Sequence, residues 1–134
     1  MKIIIHSDGG ARGNPGPAGI GAILHDEKGT VLAEISAYLG ETTNNQAEYK
    51  ALIAGLQKAN ALGADAVECF LDSELAVKQI NRVYKVKNRE LAPLFLDVCN
   101  LLTKFKSYRF CHVPRELNKE ADRLANEAMD RREN

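Results

Sequence analysis

Four acidic residues, Asp8, Glu48, Asp72 and Asp122, stand where they could do metal chemistry. Asp8 closes the run Lys2-Ile3-Ile4-Ile5-His6-Ser7, and Asp72 closes the short run Val67–Leu71. Both runs read as buried strands, so both acids are expected at strand ends, where open α/β sheets place ligands. Glu48 falls in the first turns of a predicted helix. Its i+3, i+4 and i+7 neighbours Ala51, Leu52 and Gly55 form the side that must face the sheet. A carboxylate there costs several kcal/mol, on the order of 3–5, if it finds no partner. Asp122 lies near the start of the last predicted helix, where the helix dipole favours an anion. Asn118, four residues earlier, shares its face, either as a cap or as a neutral group that orients ligands. Taken singly, each acid reads equally well as a solvated surface residue. Taken together, without Lys or Arg partners, four carboxylates repel unless they hold hard divalent cations. All-oxygen ligands favour Mg²⁺ or Mn²⁺ over zinc. Two such ions about 4 Å apart can activate a water and stabilise the leaving oxygen of a phosphodiester.

The elements that position these acids follow from periodicity and punctuation. After the first strand comes Gly9-Gly10-Ala11-Arg12-Gly13-Asn14-Pro15-Gly16-Pro17, read as a loop that lets backbone approach a ligand. Ala18–His25 is a second strand, with glycines at 19 and 21 where bulk is excluded. Asp26-Glu27-Lys28-Gly29 is a hairpin turn with Gly29 at positive φ, and Val31–Leu39 alternates as a third strand. A helix opens at Thr43-Asn44-Asn45-Gln46, where Thr43 with Gln46, or Asn45 with Glu48, fits a capping box. It runs to about residue 61 and ends at Gly63. Val67–Leu71 is the fourth strand, and Ser73 starts a second helix. Residues 83–89 are a basic connector. Glu90–Lys104 is a third helix with Pro93 in its first turn, Tyr108–Val113 a fifth strand, and Asn118 caps the last helix. Right-handed crossovers give a mixed sheet of order 3-2-1-4-5. Its first and fourth strands are adjacent and parallel, and the strand order reverses there. That switch point is the expected site.

Bulk properties bound the reading. The chain has 134 residues, 45% hydrophobic and 27% charged, and reads as one domain. Eighteen basic and eighteen acidic residues cancel, so any nucleic-acid contact must come from a local patch. Cys69, Cys99 and Cys111 are an odd, widely spaced set, read as buried free thiols in a reducing compartment. No apolar stretch approaches a membrane span and no signal-peptide pattern opens the chain, so the expected location is cytoplasmic.

The blocks Asp8–Pro17, Thr43-Asn44-Asn45-Gln46-Ala47-Glu48, Leu71-Asp72-Ser73 and Asn118-Lys119-Glu120-Ala121-Asp122-Arg123-Leu124-Ala125 resemble the signature blocks of type 1 ribonuclease H, in the family's order. The resemblance spans nearly the whole chain. It implies an α/β ribonuclease H-like fold with a five-stranded mixed sheet and helices on both faces, residues 1–134 forming one catalytic domain. It implies endonucleolytic cleavage of the RNA strand of RNA–DNA hybrids with Mg²⁺, leaving 3′-hydroxyl and 5′-phosphate ends; a monomer is expected, separately from the resemblance. It assigns metal binding and catalysis to Asp8, Glu48, Asp72 and Asp122, with Asp8 bridging two ions. Glu48 would also accept a hydrogen bond from a ribose 2′-hydroxyl, the group that distinguishes RNA. Gly9, Gly10, Arg12, Asn14, Thr43, Asn44 and Asn45 are the expected substrate contacts.

The chain departs from the family pattern in three places. Many relatives carry a histidine in the loop before the last helix; here the link is only Pro114-Arg115-Glu116-Leu117. His112 reads as a satisfied strand residue, and Arg115 is the positional substitute. Some relatives carry a long, tryptophan-bearing basic extension; here there is no tryptophan and the connector is short. Lys78, Arg82, Lys85, Lys87 and Arg89 nonetheless make five bases with no acid between 75 and 89. Such a run is either a solvated face or, as expected here, a phosphate contact led by Lys85 and Lys87. Glu74, also an expected substrate contact, stands where many relatives place glutamine, so a contacting amide is missing and the site is expected to feel a fifth acid. No separate hybrid-binding segment is expected ahead of the catalytic one. The rival readings are a nuclease of the same fold acting on double-stranded RNA or DNA, a silent hybrid-binding module, and a phosphate-binding protein. The last lacks the Gly-Lys-Ser/Thr ending of a P-loop.

Overall fold

In a computed structural model describing residues 1–134, ten-residue strands β1 (Lys2–Ala11) and β2 (Gly16–His25) form a hairpin. Strand β3 (Val31–Thr42) continues the meander. Helix α1 (Asn44–Ala61) returns the chain to β4 (Ala66–Leu71). Helices α2 (Glu74–Ile80) and α3 (Ala92–Leu102) follow, then β5 (Ser107–His112), a 3-10 turn at Arg115–Leu117, and α4 (Lys119–Arg131). The sheet order is β3-β2-β1-β4-β5, with β1, β4 and β5 parallel and both meander pairs antiparallel, as the crossover argument requires.

Strand alternation sends Ile3 and Ile5 to one face of β1. There they pack in one core with Leu52 and Leu56 of α1, Val98 of α3, and Val67, Cys69 and Leu71 of β4. Each of these aliphatic chains contributes roughly 1.5–3 kcal/mol on burial. The opposite face of the meander is covered by α4 through Ala121, Leu124, Ala125 and Ala128, all buried. No helix is long and apolar enough to cross a membrane.

Several boundaries differ from expectation. Asp8 does not end its strand: β1 runs on through Gly9, Gly10 and Ala11, which pair with Ile20, Gly19 and Ala18. The expected nine-residue loop shrinks to its tip, because Gly9 serves close packing. Any side chain on it would collide with the Ala47 carbonyl of α1. On the other face, Gly21 lies opposite Asp8, and a side chain there would strike the Ala121 carbonyl of α4. These two contacts bring the beginnings of α1 and α4 to the two sides of Asp8. Strand β3 extends to Thr42 rather than Leu39. Helix α3 is shorter than expected because Asn88 Oδ1 accepts from the Glu90 and Leu91 amides and holds a turn there. Gly29 takes positive φ (88°) in its hairpin, as expected. All three thiols are free, but only Cys69 is buried; Cys99 and Cys111 are half-buried.

Candidate active site

The parallel ladder between β1 and β4 ends at the pair Ser7–Leu71, while β1 continues with a neighbour on one side only. A notch therefore opens beside Asp8. Asp72, the first residue beyond β4, enters it from the far wall. Glu48 enters from α1, which Thr43 caps by accepting a hydrogen bond from Gln46 N at 3.2 Å. One carboxylate oxygen from each of Asp8, Glu48 and Asp72 lies within 4.8 Å of the other two. Asp122 joins them in lining a cleft of about 440 Å³ with Gly9, Gly10, Arg12, Asn44 and Asn45.

The electrostatics of this cluster are unfavourable without a cation. Asp8 is 7% exposed and Glu48 8%. Burial, reinforced by Asp72, pushes Asp8 up to about 7. Burial and the neighbouring Asp8 push Glu48 well above the usual carboxylate range, opposed by the Gly9 N–H. Burial also raises Asp72. Glu48 Oε2 is buried with no hydrogen-bond partner. An orphaned carboxylate oxygen beside two more carboxylates is a donor set that fits a hard divalent ion. Protons can stand in for such an ion only by keeping the acids neutral.

The fourth acid behaves differently from the sequence reading. Asp122 is not without a basic partner: Arg115 Nη2 lies 3.5 Å from its Oδ1. The 3-10 turn folds Arg115 over the start of α4, a proximity across seven residues that helical periodicity does not reveal. The same guanidinium opposes the rise of Asp72. Asn118 starts α4 without capping it by its side chain. It is buried and spans to β1, donating from Nδ2 to the Ser7 carbonyl at 2.9 Å.

The expected substrate contacts divide. Asn14, Asn44 and Ala11 form a bonded patch on the cleft rim: Asn14 Oδ1 accepts from Asn44 N at 3.1 Å, and Asn44 Oδ1 from Ala11 N at 2.7 Å. Arg12 reaches the rim while paired with Asp130 at 2.6 Å. Asn45 lines the cleft; Thr43 serves as the α1 cap and lies outside the lining. Glu74 is not a fifth acid of the site. It turns to Lys78, 2.5 Å away, because the i,i+4 spacing on α2 offers a nearer cation. His112 closes β5, the strand position expected of it, and is exposed and outside the lining of the acid cleft. Lys85 lines a separate hollow of about 580 Å³ with Arg82, Tyr84 and Phe95. Neither it nor Lys87 lines the acid cleft. The sequence reading missed Ser73, Asn126 and Met129 in the cleft wall. Asn126 stands one turn after Asp122, the one spacing that could have flagged it.

The family model described as Reverse transcriptase-like matches residues 6–128. The chain belongs to the type 1 ribonuclease H family. It is 42% identical over 129 residues to Ribonuclease HI of Halobacterium salinarum, covering 96% of this chain and 65% of that protein. It is 47% identical over 131 residues to Bifunctional protein Rv2228c of Mycobacterium tuberculosis, covering 97% of this chain and 36% of that one. The chain thus spans about a third of the second relative and just under two thirds of the first. Among solved structures, LC11-RNase H1, isolated from compost by a metagenomic approach, is 50% identical in its complex with an RNA/DNA hybrid. That match has a TM-score of 0.92 and covers 96% of this chain and 97% of that one. The ribonuclease H fold is therefore shared over nearly the full length of the chain.

Proposed function

We propose that this chain is a metal-dependent endonuclease that hydrolyses the RNA strand of RNA–DNA hybrids, leaving 3′-hydroxyl and 5′-phosphate ends. Residues 1–134 act as one catalytic unit. The observation that carries the reading is the buried, unpartnered Glu48 Oε2 beside Asp8 and Asp72, in a cleft with no lysine among its lining residues. The hybrid bound by LC11-RNase H1 supports the substrate class.

Asp8, Glu48, Asp72 and Asp122 would hold Mg²⁺, or Mn²⁺ in its place, two ions in the presence of substrate. The chemistry supplied by such ions is Lewis-acid activation of water and neutralisation of charge on the phosphodiester. Asp8, packed between α1 and α4, is the acid common to the whole cluster. Glu48 accepts a hydrogen bond from the ribose 2′-hydroxyl, which gives preference for RNA. Asn14, Asn44 and Asn45, with Gly9, Gly10 and Arg12, position the two backbones along the rim. Arg115 holds Asp122 in place and offers positive charge at the cleft mouth. Lys85 and Lys87 add phosphate contacts outside the cleft.

Matched labelled duplexes of hybrid, double-stranded RNA and DNA, incubated with Mg²⁺, Mn²⁺ or EDTA, test this reading. Cleavage confined to the RNA strand of the hybrid and abolished by EDTA is expected. Cleavage that persists in EDTA removes the metal-dependent mechanism, and binding without cleavage leaves a silent module.

A further inference from the structure

Asn118 connects two of the acids. Its Nδ2 donates to the carbonyl of Ser7, the residue before Asp8, at 2.9 Å. Its backbone carbonyl accepts from Asp122 N at 3.1 Å in the first turn of α4. At 1% exposure it has no water to turn to.

An amide side chain can rotate by 180° and exchange its oxygen and nitrogen. In the exchanged state the Asn118 oxygen would face the Ser7 carbonyl, acceptor against acceptor. The group that meets the amide from its other end is His6, whose Nδ1 lies 3.3 Å from Asn118 Oδ1. That contact is a hydrogen bond only when Nδ1 carries the proton and donates. The imidazole is held in plane by stacking, with Phe70 at 5.0 Å and 18° and His25 at 5.7 Å and 25°. His6 and Asn118 share a hollow of about 280 Å³ that is separate from the acid cleft, so His6 touches no reacting group.

We propose that His6 is a positioning residue for the acid cleft. Its Nδ1–H fixes the Asn118 amide, that amide holds the Ser7–Asp8 backbone, and the backbone of the same residue starts α4 ahead of Asp122. This rests on the hydrolytic reading above for its effect on turnover, though not for the contact itself.

Two substitutions separate donation from packing. His6→Phe keeps an aromatic ring in the stack and removes the donor; His6→Asn gives up the ring and places an amide donor where Nδ1 was. His6→Phe is expected to lower kcat on the hybrid roughly tenfold, the low end for outer partners of metal-holding side chains. KM for the hybrid should stay within about twofold, and His6→Asn should recover most of the loss. In the metal-free protein, the Asn118 side-chain amide signals should shift and exchange faster in His6→Phe than in His6→Asn. Wild-type kcat and unchanged Asn118 signals in His6→Phe would overturn the proposal, as would a greater loss in His6→Asn, which marks a packing role. If the wild-type protein does not cleave hybrid, the hydrolytic reading fails, and the Asn118 signals still decide whether His6 holds the amide.

Discussion

The N-terminal ends of α1 and α2 open toward the same edge of the sheet, and each carries a glutamate, Glu48 as the fifth residue of α1 and Glu74 as the first of α2. Glu48 is buried, meets two other carboxylates and has an oxygen with no partner. Glu74 is exposed and accepts a hydrogen bond from Lys78, and that bond together with the lysine's charge holds it below the usual carboxylate range. Residue type is alike in the two places, and both glutamates stand near the start of the helix that follows a strand. The difference is the cation: α2 supplies one from its own next turn, and α1 supplies none. A carboxylate at a sheet edge is thus poised for metal only where the surrounding chain withholds a base and excludes water. Otherwise it becomes an ordinary helix ion pair of small worth.

The largest effect should come from emptying the deprived region of one acid. Asp8→Asn is expected to lower hybrid cleavage on the order of a thousandfold or more, equivalent to several kcal/mol of lost transition-state stabilisation. Hybrid binding measured by gel shift should persist. Retained cleavage would mean the α1 side of the comparison is not the active one.

The same substitution should act in the opposite direction on stability. Asp8 is raised in the folded state from 3.8 to about 7, chiefly by burial. A raised acid contributes stability that is fully present below about 3.8 and lost as pH climbs through about 7. That loss is on the order of 4 kcal/mol for a displacement of this size. Asp8→Asn should therefore melt several degrees above the metal-free wild type at pH 8, with the gap closing toward pH 4. Thermal melts across that range check it. A pH-independent gap would show that packing, not charge, sets the difference.

Arg115→Ala removes the one base that reaches the cluster, by way of Asp122. Turnover at saturating metal should fall roughly tenfold, within the range seen for partners of metal-holding groups. An unchanged rate would remove Arg115 from the account. Smallest of all are changes on the α2 side. Lys85→Ala with Lys87→Ala should reduce the salt slope of hybrid binding by up to about 2, one per phosphate contact. Glu74→Gln should leave turnover within about twofold. A large loss in Glu74→Gln would erase the contrast between the two glutamates.

Much of this arrangement was legible in the sequence, for local reasons. The Thr43 cap, the Gly29 turn and the strand order follow from short-range signals and crossover handedness. Asp8 and Asp72 come together because adjacent parallel strands bring their ends to one edge. What stayed hidden depends on partners distant in sequence. Gly9 and Gly10 read as loop residues, yet their strand continues because α1 and α4 must pass close to it. Asn118 has the sequence position of a cap, but a carbonyl 111 residues away claims its side chain. Arg115 and Asp122 meet only because a 3-10 turn tightens the link between them. Glu74 matches a position of the family pattern, and its neighbour Lys78 turns it away.

The central claim is that Asp8, Glu48 and Asp72 together take up divalent ions, giving up protons as they do. It is tested most directly by titrating Mg²⁺ or Mn²⁺ into the metal-free protein at pH 7 in buffers of different ionisation enthalpy. Calorimetry should show metal binding coupled to net proton release, with that release much reduced in Glu48→Gln. Binding with no proton release in wild type, or release unaltered by Glu48→Gln, would contradict it.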